Sequence, residues 1–315
     1  MRWACWASRR LSGCSAVDGR GYHGDMSVQM QRPPIAVDAE RERPLALVVR
    51  APGTNCDAEM VRAFRLAGAD AELIHLDTLI DDPAILNRAH LLGLPGGFSY
   101  GDDVASGRVF ALRLRQRLYP ALRAAAGRGV AMIAACNGFQ IIVQAGLLPG
   151  PYDGPFPESP APQQVSLTFN EGGRFIDRWC GVEYDASSVC IWTRDLARAG
   201  LSGSARMLPI AHGEGRFVAR DADVMAALKS RGMIAVRYTN GDNPNASDDD
   251  VAGICDATGR IFGLMPHPER FLDWTRHPFW TRLPATERAG DTPGLAMFRS
   301  AVSVVRAEMS NRAGS

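Results

Sequence analysis

The sequence has little lysine, no long apolar run and almost no net charge. Of its 35 basic residues all but Lys229 are arginine, which indicates a coding bias rather than a function. No apolar run approaches the roughly 20 residues of a membrane-spanning helix, so no membrane association is expected. The formal net charge is +1 over 315 residues and 46% of the residues are hydrophobic, as in ordinary globular proteins. Collagen-like, coiled-coil and disordered classes are therefore excluded.

An excess of basic residues is also missing from residues 44–315. Residues 1–43 hold seven arginines against five acidic residues, so residues 44–315 hold 28 basic and 29 acidic residues. Non-specific binding of nucleic acid depends on clustered Lys and Arg that neutralise phosphates. We therefore expect no nucleic-acid partner, and instead a small molecule or another protein.

Paired cysteines are absent as well. The seven cysteines are odd in number and include no CxxC pair: Cys5, Cys14, Cys56, Cys136, Cys180, Cys190 and Cys255. This pattern predicts neither a disulfide framework nor a metal site of the zinc type. We expect a reducing, cytoplasmic compartment in which each cysteine is either a small core residue or a reactive thiol.

Residues 1–43 lack hydrophobic periodicity and are interrupted by Gly, Pro, Arg and Ser. We predict a disordered N-terminal extension here. A transit peptide and a start codon assigned too early, with Met26 as the true start, are the alternatives. The remaining residues, 44–315, are predicted to form a single domain.

Short apolar runs alternate with amphipathic segments through the first half of this domain. Such runs are typical of strands buried on both faces of a parallel sheet, with helices between them. The predicted strands are 45–50, 71–75, 91–94 and 129–135, and the predicted helices are 57–67, 106–127 and 138–144. The alternation predicts an α/β fold: an open, mostly parallel sheet flanked by helices.

The second half begins with a Pro-rich loop over 149–164 and continues with shorter, alternating strands, which favour an antiparallel extension of the sheet. These strands are predicted at 164–169, 181–184, 189–192 and 234–238, followed by a hairpin of 253–255 with 260–264 and a last helix over 294–312.

The sharpest signal for chemistry is Cys136, between a predicted buried strand and a predicted helix, with small residues at 134, 135 and 138. Small neighbours permit the tight strand–nucleophile–helix turn that raises a side chain above the C-terminal edge of a sheet. The helix N-terminus favours a thiolate, and its N–H groups, beginning with Asn137, can hold the oxyanion of an attacked carbonyl. We interpret Cys136 as a nucleophile rather than a core cysteine.

A nucleophilic cysteine needs a base, and the base needs an orienting group. His267 lies between two prolines just after the predicted strand 260–264, and Glu269 is near enough to accept a hydrogen bond from its imidazole. His212, in Ala-His-Gly-Glu-Gly, is the rival base, although its glycines suit a substrate-facing or structural turn equally well. His277 is expected to be solvated.

A Gly-rich loop over 95–102 follows the predicted strand 91–94. It lacks the Gly-Lys-Ser/Thr of a nucleotide-binding P-loop. The backbone N–H groups of Gly96 and Gly97 suit a second oxyanion donor opposite the helix that follows Cys136. A plain tight turn is the alternative interpretation.

Six segments in this order are far more specific together than any one alone: APGTNCD at 51–57, GGFSYGD at 96–102, CNGFQ at 136–140, IAHGEGRF at 210–217, NPN at 243–245 and PHPER at 266–270. On these segments, and over about residues 44–310, the chain resembles the class I (triad) glutamine amidotransferases. The segments at 136–140 and 210–217 point to one branch, the glutaminase subunits of phosphoribosylformylglycinamidine synthases.

The resemblance implies a flavodoxin-like fold with Cys136 as nucleophile, His267 as general base and acid, and Glu269 as its orienting partner. The predicted oxyanion and substrate-binding residues are Gly96, Gly97, Asn137, Gln140 and His212. One position departs from the family: the residue two before the nucleophile is usually Gly and is Ala134 here. We expect tighter packing there rather than lost activity.

The resemblance also implies the reaction and its partners. L-Glutamine is hydrolysed to glutamate and ammonia through a glutamyl thioester, with no cofactor for this step. The ammonia serves a synthetase (large) subunit that uses ATP and Mg²⁺ to convert formylglycinamide ribonucleotide to the amidine in de novo purine biosynthesis. A small accessory subunit bridges the two.

Two other functions remain open from the residues alone. A cysteine hydrolase or protease-like member of the same superfamily shares the turn at Cys136 but generally has a His directly after it, which is absent here. A non-catalytic binding module is expected to lack one of Cys136, His267 or Glu269, and all three are present.

Overall fold

The computed structural model describes residues 43–199, 203–239 and 241–313. The predicted N-terminal extension, apart from its last residue, lies outside the described residues. No helix among the described residues is both long enough and apolar enough to cross a membrane.

A nine-stranded sheet forms the centre of the described structure. Its strands, in chain order, are β1 Leu45–Arg50, β2 Asp70–His75, β3 Leu91–Leu94, β4 Ala131–Ala135, β6 Ile176–Tyr184, β7 Met207–His212, β9 Ile234–Tyr238, β10 Val251–Cys255 and β11 Ile261–Leu264, and a separate two-stranded ribbon joins β5 Val165–Thr168 to β8 Arg216–Ala219. The order across the large sheet is β2-β1-β3-β4-β11-β10-β9-β6-β7.

The first five strands of that order are parallel, and the remaining neighbours pair antiparallel. The parallel part has the 2-1-3-4 arrangement of flavodoxin-like sheets, in which sites form beyond the carboxyl ends of the strands. The prediction of a mostly parallel α/β sheet with an antiparallel extension is confirmed. It follows from the composition of the strands, because every residue of β3, β4 and β11 is buried.

The helices are α1 Asp57–Leu66, α2 Leu76–Asp81, α3 Arg108–Arg113, α4 Tyr119–Gly127, α5 Asn137–Gln144, α6 Arg194–Arg198, α7 Ala222–Ser230 and α8 Pro293–Ala313. The predicted helix over 106–127 is helical from Arg108 but contains a π-helical turn at Leu114–Leu118 between α3 and α4. Pro120 lies in the first turn of α4 and has no N–H, so it cannot continue the regular bonding of α3.

Two predicted strands have different structures. Residues 189–192 are an irregular segment, although Cys190 and Trp192 are fully buried. The N–H of Val189 donates to Gly232 O, and the N–H of Ile191 donates to Gly259 O. The backbone of this segment therefore bonds to loops instead of to a neighbouring strand, although its apolar side chains are buried. The strand predicted at 164–169 exists as β5 but pairs with β8 instead of extending the large sheet.

Candidate active site

Three parallel strands end at the same level and bring the predicted catalytic segments together. In the register of the sheet, Leu94 of β3 pairs with Ala134 of β4, and Ala135 pairs with Leu264 of β11. The loops after these strands carry the Gly-Gly pair, Cys136 and His267. Chain segments more than a hundred residues apart therefore meet at one edge of the sheet.

Cys136 occupies a strained turn between β4 and α5. Its φ of 50° and ψ of −109° lie outside the usual regions for a residue with a side chain. Gly138 permits the close approach that this turn requires, because a Cβ there would lie 2.0 Å from Leu94 O. Cys136 N–H donates to Leu264 O at 2.8 Å, which ties the turn to β11. The sulfur lies at the start of α5, and it is 3.6 Å from Ala211 O.

His267 and Glu269 form a buried pair beside Cys136. His267 Nδ1 is 2.7 Å from Glu269 Oε1, and the two residues are 2% and 1% exposed. A Cβ placed on Gly96 would lie 2.4 Å from the imidazole Cε1 of His267 and 3.4 Å from Cys136 Cβ, so the glycine leaves the space in which ring and thiol face each other. The backbone N–H of His267 donates to Pro209 O, which fixes the loop.

The charge around His267 favours its protonated form. Burial disfavours an imidazolium, but the Glu269 carboxylate and the Cys136 sulfur attract it, and the net effect raises the pKa of His267 well above its ordinary value. His267 can therefore hold the proton that a leaving amine needs.

Cys56 completes this group, and the sequence analysis assigned it no role in the site. Its Sγ lies 3.8 Å from His267 Nδ1, it is fully buried, and burial raises the pKa of its thiol. The sequence signal that could have identified Cys56 as a site residue is its place in the segment 51–57. Among the described residues, Cys56, His267 and Glu269 are the group whose ligand atoms could surround a metal ion, all within 4.8 Å. Tetrahedral ligands at about 2.05 Å from zinc would be about 3.4 Å apart, so the 2.7 Å pair suits a hydrogen bond better.

Two backbone N–H groups at this edge of the sheet, those of Gly97 and Asn137, are the predicted oxyanion donors. Thr54 and Gly97 form an antiparallel bridge that is held by Asn55 N–H to Gly96 O and by Phe98 N–H to Gly53 O. Both hydrogen bonds of the bridge are made by the neighbours of Thr54 and Gly97. The N–H of Gly97 is therefore not used by the bridge. The N–H of Asn137 is the first of α5 and has no partner within the helix.

The side chains of Asn137 and Gln140 bond to the walls of the site. Asn137 Nδ2 donates to Gln140 Oε1 at 3.0 Å and to Asp102 Oδ1 at 3.2 Å, and Gln140 Nε2 donates to Glu214 O. The loop after β3, the first turn of α5 and the loop after β7 are thereby joined around Cys136. β7 is the edge strand of the sheet, and its Ala211 O lies 3.6 Å from Cys136 Sγ, so the antiparallel part also reaches the site.

His212 is close to the site but is not paired with Cys136. Its Nδ1 is 3.0 Å from Asn170 Oδ1, which also accepts from Gly215 N–H, so Nδ1 is the nitrogen that carries the proton. The imidazole is 2% exposed, and its Nε2 has no hydrogen-bond partner among the described residues. Burial, and next the charge of His267, lower the pKa of His212 to about 4.

The expectation that His277 is solvated is wrong. This residue is 1% exposed, and its ring packs against Trp179 and Phe271 at centroid distances of 5.5 and 5.8 Å. Its surface segment is rich in aromatic residues, and their packing covers the imidazole. It lies outside the group around Cys136.

The site lies at the carboxyl edge of the sheet, and a separate cavity of about 710 Å³ lies at the other edge. That cavity is lined by Val130 and Ile261, which lie at the amino ends of β4 and β11. The loop residues Tyr152 and Phe156 line it as well. It is therefore remote from Cys136.

The model of the CobB/CobQ-like glutamine amidotransferase domain matches residues 43–305. This chain belongs to that family. Membership in the glutamine amidotransferases confirms the resemblance that the six sequence segments indicated. The fold is the one that the resemblance implied.

Relatives of this amidotransferase carry one recurring name. Phosphoribosylformylglycinamidine synthase subunit PurQ from Dehalococcoides mccartyi is 39% identical over 270 residues, which cover 82% of this chain and 97% of the relative. The protein of the same name from Archaeoglobus fulgidus is 34% identical over 281 residues, covering 84% of this chain and 97% of that relative. A solved structure, PurLQS from Thermotoga maritima, matches with 28% identity and a TM-score of 0.58, covering 84% of this chain and all of the matched chain.

Proposed function

We propose that this chain is the glutaminase subunit of a phosphoribosylformylglycinamidine synthase and hydrolyses L-glutamine to glutamate and ammonia. The relatives that it matches over nearly their whole length bear the name of that subunit. Residues 44–315 form the glutaminase domain of this proposal, and residues 1–43 extend it.

In the proposed reaction, the Cys136 thiolate attacks the side-chain amide carbon of glutamine. The tetrahedral oxyanion accepts hydrogen bonds from the N–H groups of Gly97 and Asn137. As the C–N bond breaks, His267 gives its proton to the departing nitrogen, so ammonia leaves and a glutamyl thioester remains. His267 then takes a proton from water, which attacks the thioester and releases glutamate and the thiolate.

One observation supports this chemistry above the others: a strained cysteine at a helix N-terminus faces a buried His–Glu pair with a 2.7 Å hydrogen bond. Glu269 keeps the imidazole oriented and stabilises its charged form. Because Gly96 has no side chain, the imidazole of His267 and the thiol of Cys136 have room to face each other. Gln140 seats the substrate indirectly, since its amide binds Asn137 and the Glu214 backbone and so shapes the pocket.

The groups in this site need no cofactor for amide hydrolysis, because a thiolate, an acid–base pair and oxyanion donors supply each step. We propose that ATP and Mg²⁺ act on the synthetase subunit, which consumes the ammonia. The partners are that large subunit and a small accessory subunit, in line with the PurLQS assembly named for the matched solved structure.

The test measures ammonia release from L-glutamine by the wild-type chain and Cys136→Ala, with and without the partner subunits. We expect release by the wild type, at least in the complex, and loss of release in the variant. Equal release by both proteins, or none by either in the complex, contradicts the proposed role of Cys136. Cleavage of peptide substrates by the wild type, with no ammonia released from L-glutamine, would favour the hydrolase alternative.

A further inference from the structure

Cys56 lies against the catalytic pair, but the proposed mechanism gives it no part. Its Sγ is 3.8 Å from His267 Nδ1, and the residue is fully buried. We propose that Cys56 is a positioning residue, whose thiol accepts from the Nδ1–H of His267 and holds the ring in line with the Cys136 sulfur. This inference rests on the proposed function, because it concerns the acid and base of that reaction.

The position of Cys56 at the start of α1 does not explain why this residue is a cysteine. Cys56 is the N-cap residue of α1, where Ser, Thr, Asp and Asn are preferred because their oxygens accept from free N–H groups of the first turn. The Cys56 thiol makes no such bond within the described chain. Its Sγ faces the ring of His267 instead, 211 positions away in the sequence. The side chain is therefore placed for the imidazole and not for the helix.

The hydrogen bond between His267 and Glu269 decides which group donates to Cys56. Glu269 Oε1 is 2.7 Å from Nδ1, and a carboxylate only accepts, so Nδ1 carries its proton in both charge states of the ring. Cys56 Sγ faces the same nitrogen and therefore accepts as well. Because a thiol is a weak acceptor, it shares the Nδ1–H without displacing the shorter bond to Glu269. The opposite nitrogen, Nε2, is left for the Cys136 sulfur.

The backbone of Cys56 is tied to one of the predicted oxyanion donors. The N–H groups of Asn55 and Cys56 both donate to Gly96 O at 3.1 Å. In a planar trans peptide the C=O and the following N–H point in opposite directions, so the fixed oxygen of Gly96 also fixes the direction of the Gly97 N–H. Cys56 thus contacts the oxyanion loop through its backbone and the imidazole through its side chain. One residue sets both groups relative to each other.

The electrostatics keep the Cys56 thiol neutral. Burial has the largest effect and raises the pKa of this thiol, so it stays protonated beside the catalytic pair. The titratable and charged groups that face His267 or Cys56 are Glu269, Cys136, His212 and Arg270. Burial disfavours the imidazolium of His267, whereas the Glu269 charge and, to a smaller extent, the contact with Cys56 raise its pKa. Loss of the thiol should therefore make the imidazolium easier to deprotonate.

The experiment removes the thiol in two ways: Cys56→Ala deletes its sulfur, and Cys56→Val fills the space but offers no lone pair. Ammonia release from L-glutamine is measured against pH with the full chain assembled with its synthetase and accessory subunits. His267 must be protonated when ammonia leaves, so the alkaline limb of kcat reports its pKa. We expect both variants to lower kcat about 2- to 12-fold, the range for one neutral hydrogen bond, with KM unchanged. The alkaline limb should move about 0.4–1.1 pH units lower.

The matched control is Cys180→Ala, which deletes the same atom from another fully buried cysteine, in β6. It should keep the wild-type kcat and alkaline limb. A lower kcat in Cys56→Ala with an unmoved alkaline limb would indicate a merely structural role and overturn the inference, and so would wild-type behaviour of Cys56→Val. If the alanine variant does not fold, the valine variant carries the same comparison.

Failure of the proposed function is recognised separately, because the wild-type assembly would then release no ammonia from L-glutamine. The positioning role is still tested in that case by proton NMR of the full chain without substrate. The resonance of the His267 Nδ1–H should titrate at a lower pH in Cys56→Ala and Cys56→Val than in the wild type and Cys180→Ala. Equal titration in all four proteins would overturn the inference.

Discussion

Replacement of His212 by Asn tests the statement that this buried imidazole is neutral in the folded protein. The pKa of His212 is about 4 in the fold, against an ordinary value of 6.5. The unfolded chain therefore binds a proton at this position between pH 6.5 and pH 4, and the folded chain does not. Stability must then rise with pH through this window and become constant above it, because the unfolded state binds more protons within it.

The magnitude follows from the two pKa values. Relative to neutral pH, His212 lowers the free energy of unfolding by about 2 kcal/mol at pH 5 and by about 3 kcal/mol below pH 4. In a domain of this size, about 2 kcal/mol corresponds to about 4–8 °C in Tm. His212→Asn keeps a donor for Asn170 Oδ1 but removes the titrating ring, so its stability should lack this part of the pH dependence.

The assay is urea unfolding of both proteins from pH 8 to pH 4.5, followed by circular dichroism. The informative quantity is the difference between the two unfolding free energies, because every other titrating group, including His267, is present in both proteins. We expect this difference to change by about 2 kcal/mol in favour of the variant between pH 7.5 and pH 5. Parallel curves would refute the reasoning, provided that the variant has the wild-type spectrum at pH 8.

Two further predictions concern the triad and the turn at Cys136. Glu269→Gln should lower kcat for ammonia release by about 10⁴-fold, as in other triads whose orienting carboxylate is replaced, and a loss below tenfold in a folded variant would contradict the role of Glu269. Gly138→Ala should destabilise the fold by about 1–3 kcal/mol or more, because its Cβ would lie 2.0 Å from the backbone oxygen of Leu94. Its control is Ala134→Gly, which should lower the free energy of unfolding by about 0.5–1 kcal/mol and leave the activity unchanged. If urea unfolding shows equal stability for the two variants, position 138 has no special need for glycine.

Periodicity predicted the strands of the parallel half almost to the residue. β1 and β3 have the predicted bounds, β2 begins one residue earlier and β4 two residues later, because short apolar runs suit a sheet with both faces covered. The same rule failed at 189–192, where the apolar side chains are buried but the backbone bonds to loops. It also missed β7, whose side chains alternate between buried and half-buried and whose Pro209 interrupts the usual composition of a strand.

In the candidate site, too, some residues could be predicted from the sequence and others could not. Cys136 was predictable because local rules suffice for it: small neighbours, a buried strand before it and a helix after it. His267 and the Gly-Gly pair were predictable because parallel strands end at one edge. Cys56 was not, since its contact with His267 joins residues 211 positions apart and depends on how α1 packs. Likewise, the burial of His277 depends on the aromatic residues that other segments bring to it.

The sequence by itself determined the α/β class, the order of the elements in the parallel half and the segments that carry the chemistry, because hydrophobic period and turn residues act locally. The tertiary structure decided which protonation states and partners those residues have. It alone buries His212, leaves its Nε2 without a hydrogen-bond partner in the part of the chain that the structure describes, and places Glu269 against His267. It also brings Glu214 and Asp102 to the same residue, Ser106. These properties depend on desolvation and on distances between segments remote in the chain, and both exist only when the sheet has formed and the loops have packed.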